Sequence, residues 1–132
     1  MIYFIPVEAS EVPPIGKGED TLAKSLVVWR VTYIPLIESN DHTNLGYIGL
    51  VPLDFLARVG WVWLHLEGSP TRAMIRDAKQ AFFALTASIP WTTYIYTELA
   101  RAKDTRFAEF MGYRITHTAD GFNFLERDAN GN

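Results

Sequence analysis

The succession of hydrophobic patterns predicts a mixed α/β domain: a strand, a weak helical region, three strands, a helix, a strand, a second helix and two closing strands. Three features carry that reading. Segments rich in β-branched and aromatic residues recur at 26–34, 45–51, 61–66 and 91–97. Between Pro70 and Pro90, apolar residues return at helical spacing. The chain then closes on a hairpin whose turn is Ala119-Asp120-Gly121.

Taken in order, residues 2–7 read as a strand, ended by Pro6 and the polar residues that follow. From 8 to 20, Pro13-Pro14, Gly16 and Gly18 leave room for a helical turn but not a long helix, with a short helix over 21–24. Residues 26–34, centred on Trp29-Arg30-Val31, form the second strand. Pro35 marks a strand edge or bend, and the turn formers of 39–44 close a hairpin onto 45–51. There Gly46 and Gly49 signal a tight bend or a close approach of backbones. Residues 52–58 read as one helical turn or a loop carrying Phe55 and Leu56. The segment 61–66 is apolar at nearly every position, as expected of a central strand covered on both faces.

The clearest helix follows. Ser69 is placed as its N-cap and Pro70 at N1, where the missing N–H costs nothing. Met74, Ala78, Ala81, Phe82 and Leu85 make one apolar stripe, and Arg72, Arg76, Asp77, Lys79 and Gln80 cover the other face. Residues 91–97 are the next strand, 101–111 the second helix, and Gly112 its C-terminal stop. Residues 113–118 and 122–126 pair as the closing hairpin. One domain spans 1–127, and 128–132 form a polar tail.

Composition narrows the function classes. The chain has 132 residues, 48% hydrophobic and 20% charged, which excludes disorder and simple coiled coil. Cysteine is absent, so disulfides, thiolate zinc sites and a cysteine nucleophile are excluded. A formal charge of −3 offers no basic field for a nucleic-acid partner. The N-terminus has no basic segment ahead of its apolar residues, and no apolar run is long enough for a bilayer. A soluble, cytoplasmic protein with no membrane partner is expected. His42, His65 and His117 stand apart without ligand spacing, so no metal is expected. There is no Walker loop, no G-x-S-x-G elbow and no H-E-x-x-H. Trp29, Trp61 and Trp63 lie on strands and read most simply as core.

From 61 to 127 the order of elements resembles the GCN5-related N-acetyltransferase (GNAT) fold. The segment Thr105-Arg106-Phe107-Ala108-Glu109-Phe110-Met111-Gly112-Tyr113 is similar to that family's last helix end, with its aromatic residues before a glycine and a hairpin after it. More narrowly, Trp61-Val62-Trp63-Leu64, the basic helix after Pro70 and the Arg106-Phe107…Gly112 pattern resemble small GNAT-like proteins of tailed bacteriophages. The resemblance implies an α/β (α+β) fold: a central mixed, mostly antiparallel sheet, helices on both faces and a C-terminal β-hairpin. It implies acetyl-CoA as cofactor and an amine as acceptor in an N-acetyl transfer. The alternative it implies is a phage protein that keeps the fold without the chemistry. Such a protein would serve as an internal virion, head-assembly or host-interaction component, with a phage or host protein as partner, in the virion or the host cytoplasm.

Carried onto this sequence, the family's Arg/Gln-x-x-Gly-x-Gly/Ala phosphate loop falls on 67–73. The candidate cofactor-binding residues are therefore Leu66, Gly68, Ser69, Thr71, Arg72 and Ala73, joined by Arg101 near the end of the fifth strand. The sequence departs from the pattern here: the glycine spacing is lost, Pro70 removes a donor, and Glu67 adds a negative charge. The family's proton-donating tyrosine falls on Ala108. Tyr113 is taken as the replacement acid; Tyr94 or Tyr96 would substitute only if the fold brings one near the thiol. Glu98, at the carboxyl end of the fifth strand, is the candidate base. His65 lies in an apolar strand and reads as a hydrogen-bonded core histidine.

Overall fold

The computed structural model describes residues 1–13, 19–34, 42–67 and 71–128. The strands are β1 (Ile2–Val7), β2 (Val27–Tyr33), β3 (Thr43–Asp54), β4 (Val59–Leu66), β5 (Thr92–Glu98), β6 (Arg114–Ala119) and β7 (Phe122–Arg127). The helices are α1 (Glu19–Lys24), α2 (Arg72–Ser88) and α3 (Ala102–Phe110), with a 3₁₀ turn at Ala9–Glu11. Hydrogen bonding orders the strands β1-β2-β3-β4-β5-β7-β6. β4 thus has a neighbour on both edges, as its continuous apolar character requires. The β4–β5 ladder is parallel, whereas β1–β2, β2–β3, β5–β7 and β6–β7 are antiparallel.

The chain divides into two compact units, residues 1–52 with 62–78 and residues 53–61 with 79–132. In the first, β1 pairs with β2 from Ile2↔Tyr33 to Val7↔Val28. β2 pairs with β3 from Val27↔Leu50 to Tyr33↔Thr43. That register slips at Val31/Thr32, which face Gly46 and Asn44, so Leu45 is the extra residue of a bulge. The core is Val28, Val31, Leu45, Ile48, Leu50, Val62 and Trp63. Trp63 is 2% exposed and lies flat against Gly49, where an added Cβ would come within 2.3 Å of its ring. Its indole N–H donates to Ser25 Oγ at 3.0 Å, so the ring is buried with its polar atom satisfied.

The reading of 52–58 is corrected here. β3 runs on through Pro52 to Asp54, and only 55–58 turn, with Arg58 at φ +55°. The β2 register ends at Leu50, so Pro52 lies beyond that ladder and its missing N–H deprives β2 of nothing.

In the second unit, α2 and α3 pack through Phe82 and Phe107, whose rings meet edge to face at 5.5 Å. Thr86, 2% exposed, places its hydroxyl within hydrogen-bonding distance of the carbonyls of Phe82, Phe83 and Met111. Gly112 follows the helix at φ +96°, a left-handed conformation that a side chain resists, and its N–H donates to Glu109 O. The closing hairpin turns on Asp120 (φ +54°) and Gly121 (φ +83°), the two positive φ values of a tight two-residue turn. Leu125 and Ile95 fill the inner face of the β5–β7 pair.

Candidate functional site

The β4–β5 ladder is three residue pairs long: Val59↔Thr92, Gly60↔Thr93 and Trp61↔Tyr94. β5 itself continues to Glu98, held along its other edge by β7 as far as Glu98↔Phe122. Glu98 is exposed at this carboxyl end. Its carbonyl accepts from Arg101 N–H at 3.0 Å, which ties the strand end to the start of α3. Arg101 takes the N-cap position of α3 without a capping side chain, and its Nε lies 3.0 Å from Asp104 Oδ2 one turn on. That guanidinium is two-thirds exposed and already has a carboxylate partner.

Of the loop candidates, Gly68 and Ser69 lie outside the described residues, and so does Pro70. Leu66 is the last residue of β4 and is half-exposed. The cap expected at Ser69 is corrected: α2 starts at Arg72, and Thr71 Oγ1 accepts from Met74 N–H at 3.2 Å. Thr71 thereby serves as N-cap, because its hydroxyl reaches the third helical N–H. The N–H groups of Arg72 and Ala73 precede the first intrahelical donor, and Arg72 is exposed beside them. A capped helix start whose first two N–H groups and Arg72 side chain have no partner among the described residues suits a phosphate.

Tyr113 does not meet the expectation of an accessible acid. It is 2% exposed and shares a 2.7 Å hydrogen bond with Thr93 Oγ1. Burial pushes its phenol up to about 12, against the opposing pull of the Thr93 hydrogen bond and the Arg127 charge. A phenol so enclosed has no path to a thiol. Ala108, at the family's tyrosine position, is 1% exposed and its carbonyl accepts from Tyr113 N–H. His65 is also corrected: its side chain is 29% exposed rather than in the core, with its Nε2 3.7 Å from Glu67 Oε1.

What the sequence reading missed is a row of rings. Trp61 is only half-buried, and it stacks on Tyr96 with centroids 5.4 Å apart and planes 17° from parallel. Tyr96 also meets Phe122 edge to face at 5.5 Å and Phe124 at 6.2 Å. The alternation of Tyr94 with Tyr96 and of Phe122 with Phe124 was the available signal, since period-2 spacing puts each pair on one sheet face. Among the described residues no group of three or more His, Asp or Glu is placed to hold a metal ion. No helix there is long and apolar enough to cross a membrane.

No family model matches the chain, and no curated protein matches it in sequence. Solved structures do match in fold. FdhC, a nucleotide-linked sugar GNAT, superposes with a TM-score of 0.64 at 12% identity, over 98% of this chain and 88% of that one. PseH, an N-acetyltransferase of Campylobacter jejuni solved with acetyl coenzyme A, gives 0.60 at 14% identity, over 97% and 99%. A chimera of spermidine N-acetyltransferase SpeG from Vibrio cholerae with hSSAT gives 0.62 at 8% identity, over 97% and 95%. The chain has the GNAT fold: a mixed seven-stranded sheet with α2 and α3 as its long helices.

Proposed function

We propose that the protein transfers an acetyl group from acetyl-CoA to an amine. The observation that carries this reading is the GNAT strand order with its parallel β4–β5 ladder only three pairs long, followed on β4 by a capped helix start and on β5 by an exposed carboxylate. The capped start of α2 supports this reading, because the Thr71 cap leaves the N–H groups of Arg72 and Ala73 to an anion such as the cofactor's phosphates. When bound, acetyl-CoA supplies an acetyl group activated as a thioester. Thr71, Arg72 and Ala73 hold its phosphates in this reading, together with Gly68 and Ser69, and Leu66 lines the strand end. Arg101, at the start of α3, is the other candidate cation of this reading and stands paired with Asp104. Glu98 accepts the proton that the amine must lose before it attacks, through water. Tyr113 packs the core rather than donating a proton.

Spermidine for SpeG and a nucleotide-linked sugar for FdhC belong to those proteins. By analogy with them, the acceptor proposed here is an amine of small-molecule size.

Ala108 favours a second reading, since alanine cannot donate to the leaving thiolate and Tyr113 is enclosed. In that reading the domain keeps the fold as a phage virion, head-assembly or host-interaction component, with a phage or host protein as partner. Calorimetric titration with acetyl-CoA and with CoA separates the two. A micromolar dissociation constant, about −8 kcal/mol, supports transfer. No heat, and no change in melting temperature at millimolar cofactor, rejects it in favour of the second reading.

A further inference from the structure

The second unit has two sheet faces of opposite character. On β5, Thr93, Ile95 and Thr97 are buried, and Thr97 bonds Thr105 of α3 at 2.6 Å, so this is the face under the helices. The alternate residues, Tyr94, Tyr96 and Glu98, point the other way. β7 matches them position for position: Tyr94↔Glu126, Tyr96↔Phe124 and Glu98↔Phe122. The result is a grid with two carboxylates at opposite corners and four rings between, extended by Trp61 stacked on Tyr96. Tyr96 remains 45% exposed, so its ring is accessible on this face.

The chemistry of the grid selects its ligand. Aromatic faces carry negative potential and attract cations, and Glu98 and Glu126 add full negative charge. Tyr94 Oη points to Glu126 Oε1 at 3.4 Å, which fixes that carboxylate at the rim. Arg114, opposite Glu126 on β6, lies 3.8 Å from Asp128 and is engaged there. Phe124 already carries the imidazole of His117 stacked at 4.6 Å, and elsewhere in the unit Lys79 lies over the Phe110 ring. Phosphate-bearing ligands are repelled by the same carboxylates.

We propose that the outward face of β5 and β7 binds an aliphatic ammonium group, with Tyr96 as the ring beneath its alkyl chain and Glu126 as the counter-charge. Its role as the acceptor amine rests on the transfer reading above. The binding itself does not, so the two fail separately.

The probe is n-pentylammonium, with n-pentanol as its neutral counterpart, followed by amide chemical shifts of the full chain. The ammonium shifts amides of 94–98 and 122–126, and pentanol binds about tenfold more weakly because it lacks the charge. Tyr96→Ala lowers ammonium affinity at least about fivefold. Glu126→Gln, which keeps the side chain's shape, does so as well and serves if Tyr96→Ala is unstable. Phe83→Ala, an exposed ring on α2, leaves affinity unchanged. Equal shifts with pentanol reduce the face to an apolar patch and overturn the proposal. So does a single-stranded oligonucleotide shifting the same amides, which would assign the rings to base stacking. Ammonium binding without acetyl-CoA binding keeps the proposal and removes only its role in transfer.

Discussion

Tyr113 Oη and Thr93 Oγ1 lie 2.7 Å apart in the core of the second unit, and each satisfies the other's buried hydroxyl. The pair joins the start of β5 to the segment that follows α3, with Gly112 making the turn between helix and phenol. It explains why a tyrosine placed next to the family's glycine is structural in this chain.

The first prediction concerns alkaline pH. The folded chain holds the Tyr113 proton up to about 12, against an ordinary value of 10.0. The unfolded chain gives up that proton sooner, so stability is complete below pH 10 and is lost as pH rises toward 12, by on the order of 2–3 kcal/mol. Tyr94, raised by burial first and by Glu126 second, acts in the same direction. Tyr113→Phe costs about 1–2 kcal/mol at neutral pH by stranding the Thr93 hydroxyl. It also flattens the alkaline decline. Urea melts of both proteins from pH 7 to pH 11.5 check this, and parallel declines would remove Tyr113 as the cause.

Gly49→Ala is expected to destabilise the first unit by about 1–3 kcal/mol. The new Cβ would stand 2.3 Å from Trp63 Cε2, and that ring is pinned by its bond to Ser25. Thermal unfolding followed by tryptophan fluorescence reads the loss.

Arg127 is 4% exposed, donates Nη1 to Thr86 O at 2.9 Å, and has a buried Nε without a partner among the described residues. Arg127→Ala removes that bond and opens a cavity, for an expected loss of about 2–4 kcal/mol. Chemical denaturation measures it, and an unchanged midpoint would show that the buried charge costs as much as its packing contributes.

Thr71→Ala is expected to cost about 1 kcal/mol through the lost cap on Met74 N–H. Because the same turn is assigned to phosphate, acetyl-CoA affinity should also fall in the calorimeter. Loss of stability with unchanged affinity would move the phosphates elsewhere.

Glu98→Gln should cut turnover roughly a hundredfold or more if Glu98 takes the amine proton. Its exposed position means the melting temperature stays where it is. Turnover with an amine acceptor is compared between the two proteins, and equal rates remove Glu98 as the base.

Local chemistry in the sequence was enough to determine the order of strands and helices, the Asp120-Gly121 turn, and Gly112 as a helix stop. Those features depend on neighbours within about four residues, where backbone sterics and short-range hydrogen bonds decide. The same locality made the GNAT likeness visible, because strand–helix–strand order and an aromatic-glycine helix end are linear signals. Tertiary structure decided the rest. Ser69 and Thr71 are both good caps by residue type, and only the helix start at Arg72 selects Thr71. Pro52 reads as a breaker until the β2–β3 ladder is seen to end at Leu50. Tyr113 and Tyr96 are both strand-region phenols in the sequence. One is sealed against Thr93 and the other is laid open beside Trp61, because burial is fixed by which residues the sheet brings across from far along the chain.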